Sequence, residues 1–311
     1  MKKLGRYLGA IGLLLLMGVA TSCIKDDIAT TSDTDLANVT VKLDSRAPVG
    51  EVTDDNALQN EGIHTLRLIL VQDGIVVSNS LHDFNNPEEK PLLKKGIRIR
   101  GLKKTATQFY AMVNESSAGK DLNIGNKFDE SSLNVQLGNE LNSDTPLPMY
   151  GKLVGQEEIK DEDEFEIPVT RAVARVDLNI TNNTGSALNI ESVDFGPFIA
   201  DKGYLITSQG KIDINYSSKG FQVKEKNMKE YHFYLYEAIN LKYEDFKIGM
   251  TTDDTKYDQT QIIVPENKRD QLLKRNTILQ INATVSKQGV PIVLDVSIQE
   301  WADRDLGPSF Q

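Results

Sequence analysis

Apolar and polar residues alternate with a period of two through most of this chain, and the pattern predicts strands. Val39, Val41 and Leu43 point one way while Thr40, Lys42 and Asp44 point the other, as a half-buried strand requires. Residues 64–71, the dipeptide Asp73-Gly74 and residues 75–77 read as a hairpin, because Asp-Gly supplies the positive backbone angles of a tight turn. Ile97-Arg98-Ile99-Arg100 and residues 107–113 continue the series. Farther on, Ala172, Ala174, Val176, Leu178 and Ile180 alternate with Arg171, Val173, Arg175, Asp177 and Asn179, and Asn182-Asn183-Thr184-Gly185 supplies a turn. Residues 211–216, 231–236, 261–264, 278–285 and 292–298 complete the strand-like segments. Helical candidates are few, with Gln271-Leu272-Leu273-Lys274 the best, and the polar, Asn-rich stretch 115–140 reads as loop with a short helix. Many strands at short spacing imply an all-β protein built as sandwiches. Pro146-Leu147-Pro148 favours extended, sheet-ending backbone, which divides the chain into two tandem β-sandwich domains, 36–147 and 148–311.

The first residues break the pattern. Lys2, Lys3 and Arg6 precede an apolar run over 8–20 that contains four consecutive leucines, followed by Ala20-Thr21-Ser22 and then Cys23, the single cysteine. Charge, apolar run and small residues in that order make 1–22 a secretory signal, the run being short for a bilayer span. Cysteine directly after small residues is the lipoprotein pattern. Cleavage before Cys23 and acylation of its sulfur (diacylglycerol, then palmitate) would anchor the chain. Ile24-Lys25-Asp26-Asp27 resembles the lysine-plus-acidic export tag of surface lipoproteins in Bacteroidota, with Lys25, Asp26 and Asp27 carrying the likeness. Residues 23–35, rich in Thr, Ser and Asp, form a flexible tether. The expected location is the outer face of the outer membrane.

Charge and candidate chemistry narrow the function. The formal net charge is −10, and it falls further once Lys2, Lys3 and Arg6 are removed. An acidic chain without a basic stripe argues against nucleic acid as a partner and against electrostatic adsorption to anionic lipid. His64, His82 and His232 stand in separate segments with no metal-ligand spacing, so neither a metal nor a cofactor is expected. No phosphate loop, nucleophile elbow or dinucleotide fingerprint appears. The acidic run 157–166 lacks the spaced ligands and turn glycine of a calcium loop and reads as a solvated connection. Nothing nominates a catalytic pair, and enzyme is the weakest reading.

With that frame in place, several words along the sequence become specific in combination. They are residues 61–70, Tyr110-Ala111-Met112-Val113-Asn114, Leu147-Pro148-Met149-Tyr150-Gly151, residues 169–176, Tyr234-Leu235-Tyr236-Glu237, Arg275-Asn276-Thr277 and the final Gln299-Glu300-Trp301. In this order the chain resembles Bacteroidales fimbrillins, the stalk, tip and anchor subunits of type V pili. The resemblance implies two transthyretin-like β-sandwiches, a first strand (Val39, Val41, Leu43) displaceable by a neighbour's strand, and adhesion to a host or bacterial surface receptor. It also implies an arginine-specific maturation cut, for which the bond between Arg46 and Ala47 is the candidate. Partners would be other pilus subunits, as homo- or hetero-polymer, and the outer membrane through the lipid. Only ten residues follow Trp301, fewer than stalk subunits usually carry, which shifts the expectation toward an anchor, tip or minor subunit. The alternative is a surface glycan-binding lipoprotein of a polysaccharide-uptake system. That reading needs exposed aromatic platforms. Trp301 reads as core, and Tyr231, Tyr234 and Tyr236 divide between two faces.

Overall fold

Period-two alternation is satisfied here by sheets that each bury one face. In the computed structural model, residues 35–44, 59–138, 141, 145–156, 158–196, 198–200, 202–210, 216–217, 220–253, 256–286 and 293–301 are described. The first seven strands are β1 (Leu36–Asp44), β2 (Thr65–Gln72), β3 (Ile75–Asp83), β4 (Ile97–Lys103), β5 (Thr107–Val113), β6 (Met149–Gln156) and β7 (Glu164–Arg171). They form one hydrogen-bonded path in the order β3-β2-β5-β6-β7-β1-β4. The path folds onto itself, because Val39 and Val41 of β1 share a core with Leu66, Leu68 and Leu70 of β2 and Phe109 and Ala111 of β5.

The fold-over happens in β7. Its first residues run parallel to β1, Thr40 opposite Glu164 through Asp44 opposite Pro168. Its last three, from Val169, run antiparallel to β6. Pro168 marks the exchange of partners, where a missing N–H is tolerated because the ladder changes there. Gly151 of β6 lies so close that a Cβ would sit 2.3 Å from the Pro168 carbonyl oxygen. The β2–β3 turn has Asp73 at φ 51° and Gly74 at φ 73°, the double positive angle expected of Asp-Gly.

The remaining strands are β8 (Val173–Asn182), β9 (Leu188–Phe195), β10 (Gln209–Gly210), β11 (Tyr216–Ser217), β12 (Phe221–Val223), β13 (Met228–Tyr236), β14 (Ala238–Ile239), β15 (Lys247–Thr252), β16 (Lys256–Gln261), β17 (Thr277–Val285) and β18 (Val293–Glu300). One sheet has the order β13-β8-β17-β18, and another runs β11-β9-β15-β16 with β12 also on β9. Between them Val176, Leu178, Phe195, Phe198, Phe233 and Ile281 form a second core. The described residues from Leu36 onward cluster as one compact unit.

β6 and β7 follow Pro146-Leu147-Pro148 in sequence and hydrogen-bond into the sheet of β1–β5, and the change of sheet falls at Ala172. Three expectations about single elements shift. The strand read at 261–264 lies earlier, at β16. Ile262 and Val264 then enter the core from irregular backbone, where periodicity alone mimics a strand. Gln271-Leu272-Leu273-Lys274 forms no α-helix: a 3-10 turn covers Glu266–Gln271, and Leu273 adopts φ 53° so that Leu272 and Leu273 both reach the core. The segment 211–216 lies almost wholly outside the described residues. Within 115–140 the expected short helix is a 3-10 turn at Glu130–Leu133.

Candidate functional site

β1 is an interior strand although it opens the described part of the chain. β7 flanks it in parallel, and β4 flanks it antiparallel with Val39 opposite Ile99 and Val41 opposite Ile97. Ala37, Val39 and Val41 are 0%, 1% and 2% exposed. Leu43 packs at the rim of the same core, partly buried. Fully burying a valine contributes about 1.5–3 kcal/mol, so Val39 and Val41 stabilise the seating of β1 appreciably. Without β1, the edges of β4 and β7 and the apolar floor of Leu68, Phe109, Ile159 and Ile167 would face water.

The acidic run grips this strand from outside. Asp161 accepts hydrogen bonds from the Asn38 backbone N–H at 2.7 Å and its side-chain amide at 3.0 Å. The backbone bond, with the side-chain bond beside it, holds the Asp161 carboxyl below its ordinary range. Glu162 N–H donates to the Asn38 carbonyl at 2.7 Å, Thr40 N–H donates to the Asp163 carbonyl at 2.8 Å, and Lys42 Nζ lies 2.6 Å from Glu164 Oε2. Arg98 of β4 pairs with Glu162. Periodicity gave no hint of these contacts, because each joins residues more than sixty positions apart. On the other side, Gly96 (φ 83°) lies against Thr40 and Lys42, where a Cβ would come within 2.6 Å of Thr40 Cγ2.

No protein-family model matches the sequence, and no curated protein does. Solved structures do. The tip fimbrial protein Mfa3 from Porphyromonas gingivalis with C-terminal truncation is 13% identical, with TM-score 0.59 over 86% of this chain and 100% of that one. A protein assigned to cell adhesion from Parabacteroides distasonis is 16% identical, TM-score 0.51, covering 89% and 99%. Another so assigned, from Bacteroides eggerthii, is 14% identical, TM-score 0.50, covering 88% and 98%. The chain has a fimbrillin-like fold.

The words that carried the resemblance to fimbrillins have a physical meaning in this fold, since they meet at the seam between the two cores. Arg175, 2% exposed, donates to Glu61 at 2.6 Å and to Asp177 at 2.5 Å. Tyr234 O–H lies 3.2 Å from Glu61 and 3.3 Å from Asn60, and Trp301 Nε1 lies 3.4 Å from the other Glu61 oxygen. Burial pulls the Arg175 guanidinium down, but Glu61 and Asp177 more than offset it and hold it above its ordinary value. Arg171 covers the Trp301 ring at 4.3 Å, with Tyr234 stacked on Trp301 at 6.0 Å. Burial lowers Arg171 to about 10, against the pull of Glu61, and its Nε and Nη2 make no hydrogen bond.

Other words complete the seam of the fimbrillin-like fold. Asn114 at φ 57° donates to the carbonyls of Gly62 and Leu147 at 2.8 and 2.9 Å. Arg275 pairs with Glu237 at 2.9 Å and donates to the carbonyls of Leu205, Ile206 and Thr207. Asn276 receives Trp301 N–H at 3.0 Å and donates its own N–H to Val173. Ile69, Met112, Leu147, Val173, Tyr236 and Ile278 fill the apolar remainder.

Among the sites read from the sequence, Cys23, Lys25, Asp26, Asp27, Arg46 and Ala47 lie outside the described residues, as do 302–311. Tyr231 stacks on Phe221 at 5.1 Å beside the second core, while Tyr234 and Tyr236 are buried at the seam, so the three form no exposed platform. Among the described residues, no helix is long and apolar enough to cross a membrane, and no cluster of His, Cys, Asp or Glu is arranged to hold a metal.

Proposed function

We propose that this chain is a structural subunit of a cell-surface fimbria, assembled by donor-strand exchange and supporting adhesion. The observation that carries the reading is the position of β1: a strand near the N-terminus seated between two partners over an apolar floor, so that its departure creates a strand-shaped vacancy. The shared fold with a tip fimbrial protein supports the same reading. The chain reaches the outer membrane as a lipoprotein through Cys23, and Lys25, Asp26 and Asp27 direct it outward. Cleavage between Arg46 and Ala47 then detaches β1 together with the lipid. A subunit that keeps both serves as anchor, and one that loses both takes a stalk or tip position.

The test is the intact mass of the protein recovered from its host's cell surface, combined with assembly of the purified chain before and after trypsin. A mass beginning at Ala47 without lipid places the chain in the fibre, and a lipidated Cys23 places it at the membrane. A chain that neither oligomerises after cleavage nor enters a pilus in cells sinks the proposal.

A further inference from the structure

The groove that holds β1 is chemically asymmetric. Its floor asks only for small apolar side chains at the places of Ala37, Val39 and Val41, a demand that countless strands meet. Its rim is selective. On the β7 side stand Asp161, Glu162, Asp163, Glu164 and Glu166. Glu162 has Arg98, and Asp161 is hydrogen-bonded by Asn38. Glu164 has Lys42 of β1 at 2.6 Å, and the strand register sets Lys42 directly opposite Glu166. Beyond Val41 opposite Ile97 the pairing with β4 ends, so at the place of Lys42 the acidic strand β7 alone supplies the ladder partner. When β1 leaves, Lys42 leaves with it, and Glu164 and Glu166 remain on adjoining outward positions. Gly96 lies against Thr40 and Lys42, so that any side chain in its own place would meet them.

Resting on the displaceable-strand reading above, we propose that the rim selects its incoming partner by charge. The strand that replaces β1 carries a lysine or arginine at the register of Lys42 and no carboxylate between the places of Asn38 and Lys42. The partner is another polypeptide whose exposed strand has this alternation, and β1 is the internal template for it. Electrostatic rims of this kind act mainly by rejecting wrong partners, since a like charge against two carboxylates is unfavourable in any rotamer.

The experiment uses the full chain with a specific-protease site placed between Asp44 and Gln59, cut and then incubated with dye-labelled peptides of the β1 sequence (residues 36–44). Expected is exchange by the unaltered peptide and binding weaker by about tenfold for Lys42→Glu, a gap that narrows in high salt. A chain carrying both Glu164→Lys and Glu166→Lys should reverse the order and prefer the Lys42→Glu peptide. Equal binding of both peptides by the unaltered chain, or no reversal, overturns selection by charge while leaving strand displacement intact. No exchange by any peptide overturns displacement itself, and selection with it.

Discussion

Replacing Glu61 by alanine tests whether the buried polar seam holds the two cores together. Glu61 is 5% exposed and accepts from Arg175 at 2.6 Å, Tyr234 at 3.2 Å and Trp301 at 3.4 Å. Removing one partner of a buried pair costs about 3–5 kcal/mol, because the other charge stays buried. Two partial compensations move the figure to the lower end. Arg175 keeps Asp177 at 2.5 Å, and Tyr234 keeps Asn60 at 3.3 Å. The Trp301 N–H bond is long and contributes little. The expected loss is therefore about 3 kcal/mol, or a fall in Tm of about 6–12 °C for a chain of this size. Trp301 is the single tryptophan and lies in the seam itself, so its fluorescence during urea unfolding reports the event. Glu61→Gln keeps an acceptor and should lose about half as much. A loss under about 1 kcal/mol for Glu61→Ala would refute the argument, showing that apolar packing alone closes the seam.

Other outcomes follow from the same geometry. Arg171→Met should cost far less than Arg175→Met in urea unfolding, since Arg171 gives up its stacking on Trp301 and its attraction to Glu61 while its Nε and Nη2 make no hydrogen bond, whereas Arg175 donates directly to Glu61 and Asp177. Equal losses would contradict this. Gly151→Ala should destabilise by about 1–3 kcal/mol in thermal unfolding, because the new methyl meets the Pro168 backbone; a neutral result would mean that β7 yields there. Burial raises Tyr236 to about 12 and pushes Tyr110, Tyr150 and Tyr234 up as well. Raised phenol values favour the neutral form in the fold, so that stability is complete below the unfolded value near 10 and is lost as pH climbs towards about 12. Absorbance titration should thus show tyrosines that ionise only as the chain unfolds, and a single normal transition for all of them would refute it. Asp161→Ala should speed amide exchange of Val39 and Val41 several-fold without altering the seam, and unchanged exchange would show that the acidic run does not hold β1.

How much of this was legible depended on the range of the interaction. β1, the β2–β3 hairpin and the long strands β8 and β17 follow from local alternation and from Asp-Gly chemistry, which need no knowledge of the partner. Ile262 and Val264 misled because core positions on irregular backbone also recur every second residue. Leu272 and Leu273 misled because a helix-like pair gains more from entering the core with Leu273 at positive φ. The acidic run read as solvated, and much of it is, but its partners Asn38, Lys42 and Arg98 come from strands far away in sequence. Arg171, Arg175, Tyr234 and Trp301 were recognisable only as words. That they converge on Glu61 is a fact of tertiary structure, which alternation cannot encode.

The change of partners within β7 has a mechanical consequence. Force applied along β1 is parallel to β7, so the ladder is loaded in shear and its hydrogen bonds resist together instead of unzipping singly. β7 carries that tension through Pro168 into Val169, Thr170 and Arg171, and so into the seam around Trp301. One strand thus forms a continuous covalent tie between the groove and the seam.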